Sequence, residues 1–382
     1  MTKNGARLWA CALAAAGVVL AAPPVTQGQE APALEERNQA RAPEQPAPGP
    51  EAGGPRSAEN FAIHNEITPE LDATLTRGLA ALAAMQGGDG SWGGVRFERH
   101  VAITALAGLA LMADGNIPGR GPYGRHVEKA MEFVLRSVAE TGLIAADTSH
   151  GPMYGHGFAT LFLGEIYGMT AGGADTAQSK RVHEALVKAC RLIVQTQNDE
   201  GGWRYNPVPH DADVSVTICQ IMGLRSARNA GLEIPKATID KAVEYVRACQ
   251  NADGGFRYQM ISGGSAWPRT AAGVASLFYA GIYKDESIDR ALTYLSVNAM
   301  PGRGIGVGSH YFYGHYYAVQ AMYLAGGESW AQWWPAVRDE LISQQNPNDG
   351  TWDDSYAGTA YGTAMALIIL QMPKRYLPIF QK

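Results

Sequence analysis

The chain has 382 residues, of which 31 are basic and 36 acidic, for a formal net charge of −5, and 46% are hydrophobic. No basic cluster longer than two or three residues interrupts this mildly acidic chain, which argues against nucleic acid as a partner.

At the N-terminus Lys3 and Arg7 precede a charge-free stretch from Leu8 to Ala22. Basic, then apolar, then polar is the order of a secretory signal peptide, here over residues 1–22. Its apolar core is too short for a stable bilayer anchor, and no second long apolar run follows. Cys11 lies inside that core, too early for a lipid-anchor site. The sequence therefore predicts an exported product, periplasmic or secreted, with no transmembrane segment in the mature chain. Residues 23–59 are rich in Ala, Pro and Glu with almost no large apolar side chain. Such a stretch buries too little to offset its ordering entropy and reads as a disordered linker. The globular part is expected over residues 60–382. Its cysteines, Cys190, Cys219 and Cys249, are odd in number, which rules out a fully paired disulfide framework.

Internal repetition organises the rest. MQGGDGSWGG from Met85, TQNDEGGWRY from Thr196, CQNADGGFRY from Cys249 and QQNPNDGTWDD from Gln344 share one pattern. Gln86, Gln197 and Gln250 each precede a Gly by four residues and an aromatic by six, while Gln345 reaches Trp352 after seven. The spacing leaves room for two degenerate copies, around Gly142 and Gly304, making six units of about 52 residues. Each unit reads as helix, Gly-rich turn, helix. First helices such as KAVEYVRACQ keep a charged face, whereas second helices such as HVAITALAGLALM are apolar around most of their circumference. The second kind belongs inside. Two concentric layers of helix satisfy the contrast, and the Gln and Trp of each turn are expected to tie adjacent hairpins together.

Lys241-Ala242, Tyr245-Val246, Gln250, Gly254 and Phe256 follow the order basic, small, aromatic, aliphatic, Gln, Gly, aromatic. Arg77-Gly78, Leu82, Gln86, Gly90 and Trp92 follow it apart from Ala81. This pattern resembles the QW repeat of squalene-hopene and oxidosqualene cyclases, shared in looser form by protein prenyltransferase β subunits. The resemblance runs from about Leu71 to Met372. It implies an all-α fold, an α/α toroid of six helical hairpins (an α6/α6 barrel), whose inner helices line a central cavity. GGWRYNPVPHDADVSVT, Gly201 to Thr217, resembles the cyclase repeat in which a DxDD motif opens an inner helix. By that resemblance Asp211 matches the first aspartate and Asp213 the proton-donating one, but Val214 stands at the fourth position. The chain corresponds to one toroid where those cyclases have two. A prenyltransferase-like zinc site would need Asp, Cys and His together, yet no Asp-x-Cys pair opens an inner helix. No metal and no cofactor are expected.

Superposing the second helices on Thr104, Thr160, Thr217, Gly273, Val319 and Thr363 predicts a ring of His100, His156, Asp213, Arg269, His315 and Thr359 at one mouth. Tyr154, Trp267, Tyr313, Tyr317 and Tyr361 fall at the same level. Ionisable groups on otherwise uncharged helices are where burial shifts pKa values toward useful ones. Helix starts also carry polar caps, and large aromatics fill cores, so each residue has a purely structural reading too. For Asp213 a helix N-terminus favours the anion, desolvation opposes it, and an ion pair with Arg269 would keep it charged.

Three functions remain open on this reading. One is an exported toroid that binds a ligand, isoprenoid or glycan, or a protein in its cavity without catalysis. Another is a terpene cyclase, an isomerase, with Asp213 as general acid, assisted by Asp211, His156 and His315. The last is a periplasmic carbohydrate-active toroid, which would need carboxylates paired across the cleft. A ring closed on itself has little pressure to oligomerise, so a monomer is expected.

Overall fold

The computed structural model describes residues 66–94, 98–146, 151–170, 176–303 and 310–381. The signal peptide and linker expected over residues 1–59, and the degenerate turn at Gly304, lie outside the described residues.

The described residues form twelve α-helices and no β-sheet. Six lie outside: α1 (Pro69–Ala84), α3 (Gly124–Arg136), α5 (Ala177–Gln195), α7 (Lys236–Ala248), α9 (Glu286–Asn298) and α11 (Gly327–Gln344). Six alternate with them inside: α2 (Val101–Ala113), α4 (Met153–Thr170), α6 (Val214–Asn229), α8 (Trp267–Tyr279), α10 (Tyr311–Ala325) and α12 (Thr359–Leu370). Every residue of α2 is buried, whereas α3 buries one stripe including Val127, Ala130, Met131 and Val134. Each inner helix packs on the next, and α12 returns to α2 while α11 returns to α1. The toroid is closed, as the repeats imply. No helix among the described residues is long and apolar enough to cross a membrane.

The turns explain the repeated signature. Gln86 Nε2 donates to the carbonyl of Gly90 in its own turn and to that of His126 in the next outer helix, both at 3.0 Å. Gln197 bridges Gly201 to Thr238, and Gln250 bridges Gly254 to Ser287, in the same way. Gln345 bridges Gly350 to Thr74, 2.9 Å each, so the final repeat is bonded to the first. Gly90 has φ +91°, and a Cβ there would sit 2.3 Å from the Lys129 carbonyl oxygen. Gly142 meets Lys188, Gly201 meets Lys241 and Gly254 meets Arg290 in the same manner. Each turn thus seats against the backbone of the next repeat's basic residue, even in the degenerate second copy. The aromatic works within its own hairpin: Trp92, Trp203 and Trp352 donate Nε1–H to the carbonyls of Leu82, Ile193 and Leu341 at 2.8 Å.

After α12 the chain crosses the end of the ring opposite the inner-helix N-termini. Leu377, Ile379 and Phe380 are buried, and the 3-10 turn Pro378–Phe380 packs on α4 and α6.

Candidate functional site

The inner helices begin at one mouth, and hydrogen bonds fix which starts are equivalent. The hydroxyls of Thr104, Thr217, Thr270 and Thr363 accept the backbone N–H of Trp92, Trp203, Phe256 and Trp352 at 2.9–3.1 Å. In the second repeat His156 Nδ1 takes this role, accepting from Ile144 N at 3.1 Å. His156 is therefore the counterpart of Thr217, and Thr270 replaces Gly273 in the alignment. Backbone bonds from Thr217 to Asp213, Thr270 to Ala266 and His156 to Pro152 put Ala266 and Pro152 beside Asp213 in register. The bond from Thr104 to His100 keeps His100 in register with Asp213, whereas His156 and Arg269 fall out of the expected ring of ionisable residues.

The predicted site residues separate accordingly. His100 caps α2, accepting from Ala102 N at 3.2 Å. His156 is fully buried, with Nε2 3.3 Å from the Ala189 carbonyl on outer helix α5, and burial lowers its pKa to about 4. His315 is buried between Trp267 (4.8 Å), Tyr311 (4.5 Å) and Trp333 (5.8 Å), with Nδ1 unbonded and its pKa pushed down to about 3. Both histidines point back toward the outer layer and stay neutral. They do not join Asp213, so the expectation that they assist it is corrected.

Asp213 is the N-cap of α6 and is 0% exposed. Oδ1 accepts from Ser215 Oγ at 2.7 Å and from Val216 N at 2.9 Å, and Oδ2 accepts from Tyr258 OH at 3.2 Å. Arg204 Nε lies 3.6 Å from Oδ2, while the same guanidinium bonds Asp211. Burial raises the Asp213 pKa above the ordinary value, and the bonds from Ser215, Val216 and Tyr258 with the charge of Arg204 only partly oppose it. Desolvation thus outweighs the helix N-terminus. Arg269 makes no ion pair with Asp213: its Nη2 donates to the Gly264 carbonyl at 2.9 Å and its guanidinium lies 5.9 Å from the Tyr258 ring.

Tyrosines from facing helices converge beside this cap. Tyr154 on α4 donates to Ser215 Oγ at 3.0 Å, and Tyr313 on α10 donates to the Ser215 carbonyl at 3.4 Å. Tyr317 OH is 3.4 Å from Cys219 Sγ and its ring 4.9 Å from that of Tyr313. Lower down, Tyr316 on α10 meets Phe158 on α4 at 6.1 Å across the ring. Side chains therefore meet on the axis at that depth. Tyr154, Trp267, Tyr313 and Tyr361 keep accessible surface at the mouth, whereas Tyr316 and Tyr317 have almost none. Among the described residues no three His, Cys, Asp or Glu side chains are grouped to hold a metal ion.

Sequence reasoning missed Arg204, Tyr205, Tyr258 and Ser215. The signal was the Arg-Tyr pair that follows the aromatic in both GGWRY and GGFRY. Those two turns bring the hydroxyls of Tyr205 and Tyr258 into contact above Asp213. It also missed Glu165 on α4, at the far end of the ring. Its side chain accepts from Ser226 Oγ at 2.7 Å and from Ile379 N at 3.0 Å, holding the C-terminal crossing segment.

No protein-family profile and no curated protein sequence matches the chain. Solved structures do. The apo type II terpene cyclase MstE from Scytonema superposes with a TM-score of 0.55 at 16% identity, over 81% of this chain and 100% of its own. An inactive variant of an α-1,6-mannanase from Salegentibacter, in complex with α-1,6-mannotetrose, gives 0.60 at 9% identity, over 80% and 99%. A protein from Actinoplanes gives 0.53 at 18% identity, over 80% and 99%. The chain has the α/α-toroid fold of the type II terpene cyclases, and a mannanase shares that architecture. Fold alone does not carry their activities over.

Proposed function

We infer that this is a ligand-binding toroid whose tyrosine-rich mouth takes an isoprenoid-type chain, and that it does not use Asp213 as a proton donor. The observation that carries the reading is the contrast at the mouth: both Asp213 oxygens are engaged inside the protein at 0% exposure, while Tyr154, Trp267, Tyr313 and Tyr361 keep accessible surface. A general acid must offer its proton within hydrogen-bond reach of the substrate. Tyr258 and Arg204 stand where that substrate would have to approach. Ring faces remain available for an apolar chain, and aromatic walls favour one.

A glycan is less well served. Each sugar hydroxyl removed from water needs a partner, and the hydroxyls of Tyr154 and Tyr313 are already donating to Ser215. The paired carboxylates of a glycosidase also find no support, because Asp211 is bonded to Arg204, Asp353 accepts from Thr359 and Asp354 caps Ala357. Export and a periplasmic or secreted location belong to this reading through the N-terminal pattern of residues 1–22.

Fluorescence titration of the mature chain with geranylgeraniol and with α-1,6-mannotetrose tests the ligand class. The reading expects saturable binding of the isoprenoid, weakened at least about tenfold by Trp267→Ala combined with Tyr361→Ala. Saturable mannotetrose binding with no response to the isoprenoid would replace it with the glycan reading.

A further inference from the structure

A second opening lies away from the mouth. A cleft of about 630 Å³ is lined by the C-terminal ends of α6 and α8 and by outer helix α7. Leu224, Arg225 and Arg228 lie 11 to 15 residues past the cap at Asp213, so this wall of the cleft is about 17–23 Å along α6 from the mouth. Its size suits a small organic ligand.

The chemistry of its walls is split. Ile234, Ile239, Val243 and Ile282 supply an apolar side, and Arg225 and Arg228 stand one turn apart on α6. Two other cations of the cleft are neutralised locally: Lys236 pairs with Asp240 at 2.7 Å, and Arg247 with Asp285 at 2.5 Å. Arg225 is half-buried, yet among the described residues its one hydrogen-bond acceptor is the Tyr279 carbonyl, 3.5 Å from Nη1. Among the described residues neither Arg225 nor Arg228 has a carboxylate within 4 Å, and the exposed Glu244 on the rim has no cation within 4 Å. Two free guanidiniums against one free carboxylate leave the cleft with one uncompensated positive charge. Arg228, in the last turn of α6, also complements the helix dipole. That explanation does not reach Arg225, which lies one turn deeper. A partly buried guanidinium without an anion is unfavourable, and its fork suits a carboxylate.

We propose that this cleft binds an amphiphilic monocarboxylate, its carboxylate between Arg225 and Arg228 and its hydrocarbon along Ile234, Ile239 and Val243. The site is independent of the mouth and of any ligand held there.

Isothermal titration of the full mature chain with decanoate, and with decanol as the uncharged control, tests it. Decanoate is expected to bind and decanol to bind at least about tenfold more weakly. Arg225→Gln and Arg228→Gln should each weaken decanoate at least about tenfold. Arg228 is exposed, so its variant is readable even if Arg225→Gln lowers stability. Absence of decanoate binding, equal affinity for decanol, or unchanged decanoate affinity in Arg228→Gln would overturn the proposal. Cosedimentation with phosphatidylglycerol vesicles separates a free acid from a lipid headgroup: capture by vesicles without decanoate binding would also overturn it.

Discussion

Asp213 and Glu165 are both carboxyls on inner helices, and their surroundings give them different work. Asp213 accepts a backbone N–H and two hydroxyls at a helix start, as an N-cap does. Replacing it with Ala should cost about 1–2 kcal/mol of stability, whereas Asp213→Asn keeps an acceptor oxygen and should cost less; urea unfolding compares the two. Glu165 is 1% exposed, and burial raises its pKa from 4.5 to about 7 against the bonds from Ser226 and Ile379. The folded protein keeps this proton where the unfolded chain has lost it. Its contribution to stability is therefore full below pH 4.5 and lost as pH rises through about 7. Glu165→Gln removes the titration, and its amide can accept from Ile379 N while donating to Ser226. Relative to wild type it should gain about 2–3 kcal/mol between pH 5 and pH 8. A stability difference that is the same at both pH values would show that Glu165 does not titrate there. Asp213 was legible in the sequence because it follows a GGW turn at a helix start. Glu165 was equally visible as a lone carboxylate in HGFATLFLGEIYG, but nothing local showed that its partner would be Ile379, 214 residues away.

At the scale of the element, the hairpin turn is the unit that holds neighbours together. Gly90→Ala introduces a Cβ 2.3 Å from the Lys129 carbonyl at φ +91° and should destabilise by about 2–3 kcal/mol. A change under about 0.5 kcal/mol would mean that the turn is not seated on the next helix. Gln345→Ala severs the bonds to Thr74 and Gly350 that close the ring, and leaves Arg77 without its acceptor. A loss of about 2–3 kcal/mol is expected, with faster backbone hydrogen exchange in α1 and α12 than in α6. Uniform exchange throughout would contradict a special role in closure. The repeats themselves were legible because Gln, Gly and aromatic recur at fixed offsets. The starts of the inner helices were legible in part: Thr104, Thr217 and Thr363 are equivalent as expected, but the second and fourth repeats slip to His156 and Thr270. The loop between the aromatic and its hydroxyl partner spans 12 residues from Trp92 to Thr104, 14 from Trp203 to Thr217 and 11 from Trp352 to Thr363, so counting alone slips the register. In the second repeat a histidine ring replaces the threonine hydroxyl altogether, which disguised His156 as a member of the charged ring.

Over the whole molecule, an apolar inner layer and a half-charged outer layer close on themselves, and the C-terminal segment covers one end. That leaves the two ends unlike. The covered end is held by the Glu165 contact to Ile379, and the other carries Tyr154, Trp267, Tyr313 and Tyr361 in the first turns of the inner helices, with Tyr154 and Tyr313 bonded to Ser215 beside the Asp213 cap. This asymmetry was not legible: the crossing of the C-terminal segment depends on its contacts with α4 and α6, and the tyrosines meeting on the axis depend on helices that are distant in sequence. Whether the mouth binds or catalyses turns on Asp213. The direct measurement is mass spectrometry of organic extracts after wild type and Asp213→Asn are incubated with squalene and linear isoprenoids of graded length. The account predicts that both proteins retain isoprenoid to the same extent, within about twofold, and return it unchanged. A cyclised product made by the wild type and absent from Asp213→Asn would contradict it and make Asp213 the catalytic acid.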